Sequence, residues 1–529
     1  MRVGTAGRLR IRAADFGCLM RWLGALRGWR AHAAAGALGV LSAVALPPMH
    51  AVPVLLLTVP GLLALLGAQA RVRGAALVGF WFGFGHHLLG LYWITEAILV
   101  EAARFWWLVP LAVPALAAVM ALFIAAPCAA ARAVPGGWPR VLVLAGAWVA
   151  ADLGRQFIAT GFPWNPWGSV WALPGAAGDV FLQPAALVGV HGLTLATLLL
   201  AAAPALGRRA VVACGAVLAA WAGFGLWRLD LPAPAPPGVT VVLAQGNIPQ
   251  GQKWDREFVT GTFSRYLVLT RDGLAQAQRR FPGQAAAVVW PETASPYLME
   301  SDPNARAAVA SVAQVGGMSV PALIGSVRFD AAQRPRNSLM AMLGAGPPAA
   351  IYDKWHLVPF GEYQPDWFPL PIQIVPGGGF ARGPGPRTLR VPGLPAFGAL
   401  ICYEAIFPAQ AVDPTDRPDW LVNVTNDAWF GNSTGPRQHL AAARMRAVEE
   451  GLPLLRAANT GISAAFNALG REQGRLSMNV TGVLVVALPG KLPPPFFARF
   501  GLVVPAMLVV IATVIGMLLA HANSKRIKF

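Results

Sequence analysis

Apolar residues run almost unbroken through the first 230 or so positions of the chain and again near its end, while the block between is cut into short runs by Gly, Pro and Asp. A helix that crosses a bilayer needs about 20 mostly apolar residues. Eight stretches meet that expectation, near 32–48, 51–69, 74–94, 105–130, 141–158, 180–205, 210–227 and 498–520. Seven precede the interrupted block and one follows it. Within the block, strand-like runs at 239–244, 286–290, 322–327, 397–401 and 420–424 mostly lack polar alternation, which suits strands buried on both faces. Helical patterns at 256–280, 304–316 and 437–450 lie between them. The expected fold class is therefore a polytopic α-helical membrane domain of eight spans plus a globular α/β domain whose sheets are covered by helices. Its boundaries are a basic extension at 1–31, spans one to seven within 32–228, the globular domain at 229–490, and the last span with a basic tail at 491–529. Pro234–Pro237 and Pro493–Pro495 read as short stiff connectors at the two ends of the globular domain.

Composition agrees: 56% of the 529 residues are hydrophobic and only 12% charged, too apolar for a soluble multidomain protein. The net charge of +18 could point to nucleic acid, but residues 229–490 hold 21 basic and 19 acidic side chains. The surplus sits in the tails and in alternate loops of the apolar part, which is a topology signal and excludes a nucleic-acid footprint. By the positive-inside rule, the arginine-rich N-terminus, the Arg71/Arg73, Arg132/Arg140 and Arg208/Arg209 loops and the C-terminal tail share the cytoplasmic side. Both termini are then cytoplasmic and the globular domain extracytoplasmic. The first span, with seven arginines in the thirty residues before it, reads as an uncleaved span and not as a signal peptide.

Three polar groups of the globular domain fall at or near strand ends, where α/β sheets place reactive residues. Cys402 follows the strand-like 397–401 and is the single cysteine of that domain, the others being Cys18, Cys128 and Cys214. A buried cysteine is often just a small hydrophobe. Its position at a strand end and its polar successors Tyr403 and Glu404 favour a nucleophile. Glu292 sits in "VVWPETASP", where a proline stops a buried strand; desolvation there would raise its pKa and suit it to act as a base, although a turn or capping carboxylate is the plain alternative. Lys354, in "YDKWHLVPFGEY", is one of only two lysines against 19 arginines between 229 and 490. A compact ammonium kept in so arginine-biased a chain suits proton transfer or an oxyanion. Together the three form a set in which the glutamate takes the thiol proton, the thiolate attacks an acyl carbon and the lysine stabilises the oxyanion or protonates the leaving group. His356 and His439 lack ligand spacing with a second His or Cys, so no metal is expected.

The motifs "WPET", "YDKWHLVPFGEY", "ICYEAIFP" and "NDAWFG", with "AQGNIPQGQKW" at 244–254, "QHLAAARMRAVE" at 438–449, "NTGISA" at 459–464 and "GFPW" at 161–164, resemble the apolipoprotein N-acyltransferases, membrane members of the nitrilase superfamily. The resemblance implies an αββα nitrilase-like sandwich with Glu292 as general base, Lys354 as oxyanion-stabilising lysine and Cys402 as nucleophile. It also implies that Glu362, Tyr403 and Glu404 support the site and that Trp254 and Trp429 lie on mobile arms near the lipid entrance. The implied reaction passes an acyl chain from a phospholipid, typically phosphatidylethanolamine, to Cys402 as a thioester and then to the α-amino group of a lipoprotein's diacylglyceryl-cysteine. No cofactor is implied. The expected location is the bacterial inner membrane with the catalytic domain in the periplasm, and nothing in the chain demands more than a monomer. Two departures from the family pattern are the arginine-rich extension and "AAFNALGREQG", where a Gly-Pro turn is usual.

His86, His87, Glu96, Asp152, Arg155 and His191 fall within or beside the expected spans. Ionisable groups there are functional candidates, but their nearness to span ends favours interfacial placement, with Arg155 and "GFPWNPW" against lipid headgroups. Two other functions compete: an anchored amidase or nitrilase-type hydrolase using the same three residues, and a transporter with an extracytoplasmic binding domain. The second predicts paired repeats, and none is visible.

Overall fold

The computed structural model describes residues 13–100, 102–252, 257–365 and 379–526. Helices occupy all eight apolar stretches: Gly28–Ala43, Leu55–Gly67, Val72–Gly90, Val109–Arg132, Trp138–Arg155, Ala185–Leu206, Arg208–Leu229 and Val503–Arg526. Among the described residues, Ala102–Arg132, Ala185–Leu206, Arg208–Leu229 and Val503–Lys525 are both long and apolar enough to cross a membrane. Trp138–Arg155 carries Arg140, Asp152 and Arg155, which dilute its apolar character. Outward side chains such as Leu111, Leu122, Val510 and Leu518 are apolar and more than half exposed, a surface suited to lipid and not to water. Part of the basic extension is itself a helix, Ala13–Ala25, whose Leu23 is buried against the bundle.

Close packing of this bundle depends on small residues. A Cβ on Gly39 would lie 1.9 Å from the Phe82 carbonyl oxygen, and one on Gly85 would lie 2.1 Å from that of Gly36. The helices approach backbone to backbone, and polar groups near their ends meet one another. His86, His87, Asp152, Arg155 and His191 are all buried, with Arg155 paired to Asp152 at 3.0 Å and His86 Nδ1 2.8 Å from the Ser42 hydroxyl. This corrects the expected interfacial placement. Arg155 and most of "GFPWNPW" face protein, with Trp164 and Trp167 inside the core.

Two six-stranded sheets stack face to face in the other half. In spatial order the first is Gly482–Ala487, Val239–Gln245, Ala285–Val289, Ala322–Phe329, Pro335–Met342 and Ala350–Asp353. The second is Glu472–Leu476, Ser463–Phe466, Leu454–Ala458, Trp420–Thr425, Phe397–Ile401 and Thr388–Leu389. The centre of each is parallel, which explains the continuous apolar runs. Val241, Leu243 and Val289 meet Ala399, Ile401 and Val422 between the sheets. Outside the first sheet, Phe263 and Leu274 of helix Val259–Arg280 and Val309 of helix Pro303–Val312 cover Val242 and Ile324. Outside the second, Ala443 and Ala447 of helix Gly435–Glu450 cover Leu400 and Leu421. The order is αββα.

All five expected strands are present, and the expected helix at 304–316 stops at Val312, before a two-strand hairpin. Of the strands not expected, Pro335–Met342 and Leu454–Ala458 carry the polar residues Asn337, Ser338 and Arg456, which interrupt the apolar run. At "AAFNALGREQG" the turn closes without proline, because Asn467 accepts from the backbone N–H groups of Leu469 and Arg471.

Candidate active site

Cys402 stands at the end of strand Phe397–Ile401 with φ +51°, opening a single 3₁₀ turn through Ile406. A left-handed conformation at a non-glycine residue costs about 1–3 kcal/mol and persists only where its surroundings enforce it. Glu404 is one such constraint. Its carboxylate turns back to accept the Ile401 N–H at 2.6 Å and also accepts the Tyr352 hydroxyl at 3.0 Å and the Trp355 N–H at 2.7 Å. It thereby ties the turn to the chain on either side of Lys354. Burial pushes Glu404 up to about 7, against the pull of those donors.

Glu292 lies just beyond strand Ala285–Val289, and Lys354 directly follows Ala350–Asp353. Lys354 Nζ is 3.0 Å from Oε1 of Glu292 and 2.8 Å from Oε1 of Glu362, and it is 1% exposed. Asn337, from the neighbouring strand, donates to the same two oxygens at 2.7 and 3.0 Å. The Asn426 N–H reaches the other Glu292 oxygen at 2.9 Å, and the Val358 N–H the other Glu362 oxygen at 2.9 Å. Glu292 therefore faces donors on both oxygens, where the sequence suggested mainly an apolar wall.

Burial acts on Lys354 to favour the neutral amine, but Glu292 and Glu362 outweigh it and hold its pKa well above the ordinary lysine value. Burial, and then the Glu292 carboxylate, push the Cys402 thiol up, with Lys354 opposing them. The resting site is thus a neutral thiol beside a carboxylate and a permanent cation. Such a site generates its thiolate only as the proton leaves for a base.

Behind the thiol lies a buried group that sequence reasoning left unassigned. His439 Nε2 is 2.9 Å from the Cys402 carbonyl oxygen, and its Nδ1 is 3.0 Å from Asp427 and 3.1 Å from Arg456. Arg456 pairs with Asp427 at 2.7 Å. Burial works to raise Asp427, but Arg456 and His439 hold it down at about 2. The thiol, carboxylate and imidazole donor atoms of Cys402, Asp427 and His439 lie within 4.8 Å of one another. Their fit to a metal is poor: both ring nitrogens and both Asp427 oxygens are engaged, and the guanidinium already balances the acid. Asn337, Asn426, Asp427, His439 and Arg456 sit in runs whose spacing gave no hint of this convergence, although two of the quoted motifs contain Asn426, Asp427 and His439.

Tyr403 points away from the carboxylates and donates to the Gly161 carbonyl at 2.7 Å, with its ring stacked near Phe162. It joins the turn that carries Cys402 to the apolar half of the chain. Trp429 is 37% exposed, while Trp254 lies outside the described residues. His356 contacts Gln410 at 2.5 Å and stacks on Phe407, and among the described residues it joins no group that could hold a metal.

Two family models match this chain: an apolipoprotein N-acyltransferase N-terminal domain over residues 38–203 and a carbon-nitrogen hydrolase domain over 240–492. Among curated relatives, an apolipoprotein N-acyltransferase of Bradyrhizobium diazoefficiens is 38% identical over 96% of this chain and 97% of its own length. One from Rhodopseudomonas palustris is 37% identical over 95% and 96%, and one from Allorhizobium ampelinum 38% over 87% and 90%.

Proposed function

This chain belongs to the apolipoprotein N-acyltransferase family, and from that premise we propose how its residues carry out the transfer. The protein is an acyltransferase that N-acylates lipoproteins. Glu292 takes the proton of the Cys402 thiol, and the sulfur attacks the ester carbonyl of a phospholipid. The ammonium of Lys354 stabilises the resulting oxyanion; held above the ordinary lysine range, it serves as a fixed charge and not as a proton donor. The intermediate collapses with loss of the lysophospholipid alkoxide, which receives the proton from Glu292. In the second half-reaction the α-amino group of the diacylglyceryl-cysteine attacks the thioester, Glu292 accepts the amine proton, and that proton returns to the departing sulfur. Thioester to amide is downhill.

The observation that carries this reading is Lys354 Nζ bridging Glu292 and Glu362 beside a left-handed, buried cysteine at a strand end. Glu362, Glu404 and Tyr403 support the site through Lys354, the nucleophile turn and Gly161 respectively. Trp254 and Trp429 meet lipid at the entrance. Each acyl chain would cost about 0.8 kcal/mol per CH₂ to expose to water, so the site opens toward the bilayer.

The eight helices cross the inner membrane as spans one to seven within 32–228 and span eight within 491–529. Residues 229–490 lie in the periplasm, and 1–31 and the tail lie in the cytoplasm, with one chain as the working unit. Arginine in alternate loops supports this orientation. Incubation with labelled phosphatidylethanolamine followed by intact-protein mass measurement tests the mechanism. One acyl adduct that disappears in Cys402→Ala is expected; turnover with no adduct in the absence of acceptor would overturn it.

A further inference from the structure

The catalytic set accounts for the thiol of Cys402 but not for what holds its backbone. Its φ of +51° places the Cys402 carbonyl beside the first turns of helix Gly435–Glu450, where His439 Nε2 meets it at 2.9 Å. A carbonyl oxygen accepts only, so Nε2 must carry a proton. The opposite nitrogen, Nδ1, stands between Asp427 Oδ1 at 3.0 Å and Arg456 Nη2 at 3.1 Å, and Asp427 and Arg456 are themselves paired at 2.7 Å. The ring is thereby held in place from the side opposite the Cys402 carbonyl.

These contacts continue across the second sheet. Arg456 Nη1 donates to Asn423 at 2.5 Å, and Asn423 Nδ2 donates to the Leu400 carbonyl at 3.0 Å. Arg456, Asn423 and Leu400 are register partners on three adjacent parallel strands, the last of which ends at Ile401, directly before Cys402. Thr425 donates to Asp427 at 3.1 Å. The carbonyl of residue 402 is therefore held by a fully buried network; the side chains of Asp427, His439 and Arg456 are 0% exposed. A buried ion pair contributes little net stability compared with apolar packing, and its best-attested use is to specify one arrangement.

We propose that His439, its ring held in place by Arg456 and Asp427, is a positioning residue that holds the carbonyl of Cys402 and so keeps the nucleophile in its left-handed, attack-ready conformation. The adjacent Gln438 extends this control to the apolar half. Its side-chain oxygen accepts from Trp164 and Asn165 at 2.9 Å each, and its Nε2 donates to the Pro47 carbonyl at 3.3 Å. The helix turn that presents His439 is thereby pinned to the membrane segment, and nucleophile geometry depends on that docking.

The inference rests on Cys402 as nucleophile, and its test separates the two. Single-turnover acylation by labelled phosphatidylethanolamine in mixed micelles is measured for the full chain, Cys402→Ala, His439→Gln and His439→Met. Gln retains an N–H that can reach the carbonyl; Met fills similar space without a donor. Acylation of Cys402→Ala at the parent rate would overturn the nucleophile assignment. With that assignment intact, His439→Met is expected to acylate about 30-fold more slowly at unchanged donor KM, in the range of a misplaced reacting group, and His439→Gln to recover to within about fivefold of the parent. Equal rates for Gln and Met, or a change confined to KM, would overturn the positioning role. Should His439→Met fail to fold, Arg456→Lys, which keeps the charge but loses the fork, reads the same chain of contacts. A lower kcat at unchanged KM supports the proposal, and unchanged kcat overturns it.

Discussion

Lys354 Nζ lies 3.0 Å from Glu292 Oε1 in a buried contact that unites the base and the cation of the proposed mechanism. Glu362 makes the second contact of that ammonium, at 2.8 Å, so one cation is shared by two acids. In the proposed mechanism, this sharing leaves Lys354 charged and paired when Glu292 takes up a proton.

Replacing Glu292 by Gln keeps the shape and removes the proton acceptor. Acyl-enzyme formation is expected to fall by about 10²–10⁴, the usual contribution of a positioned base. Quench-flow with labelled donor measures it, and a loss smaller than tenfold would remove Glu292 from that role.

Substituting Lys354 by Met leaves Glu292 and Glu362 facing each other without a cation. Breaking a buried pair in this way costs about 3–5 kcal/mol, so both thermal midpoint and activity should drop. The double variant Lys354→Met with Glu362→Gln is expected to regain stability but not activity. Recovery of activity in the double variant would argue against an oxyanion role for the lysine.

Glu404 carries a pH signature. Its folded-state pKa of about 7 lies above the ordinary carboxylate value of 4.5. The folded state therefore binds this proton more tightly than the unfolded state. That contribution is complete below about 4.5 and is lost as pH rises through about 7. Glu404→Gln has no such proton and misaligns an amide against the Ile401 and Trp355 N–H groups, at a cost of about 1–3 kcal/mol. Its deficit against the parent, followed by thermal unfolding in detergent, should shrink as pH rises between those values; a deficit independent of pH would contradict the assignment.

Tyr403→Phe deletes the 2.7 Å bond to Gly161 and should cost about 1 kcal/mol. Gly161→Ala should cost more, because φ there is +90° and a Cβ would sit 2.1 Å from the Gln156 carbonyl oxygen. Both are expected to slow acylation by micellar phospholipid. Thermal scans and acylation rates together give the order, and a Gly161→Ala variant as stable as the parent would show that the segment can relax.

The pattern of apolar runs was enough to place the eight helices and the central strands, because long apolar stretches and uninterrupted β-branched runs have few other ways to be buried. Glu292 and Cys402 stood out as candidates because each lies just beyond such a run, and Lys354 because lysine is rare in so arginine-biased a block. Asn337 and Arg456 did not, since each is a polar residue inside a strand and reads locally as a reason to doubt the strand. Their value appears only when a neighbouring strand supplies the partner, Glu292 for one and Asn423 for the other.

Arg155 shows the same limit in the apolar half. One dimension gives its distance from a span end, whereas its exposure is set by how closely glycine-rich helices approach and which acid waits there. The sequence by itself determined the two-part architecture and the family and singled out Glu292, Lys354 and Cys402 as candidates, all of which follow from local burial and motif. Tertiary structure alone decided that Lys354 serves two glutamates, that Tyr403 faces the apolar half, and that His439 holds the Cys402 carbonyl. Each of these joins residues far apart in the chain within a water-free interior, where hydrogen-bond geometry and not chain position sets the chemistry.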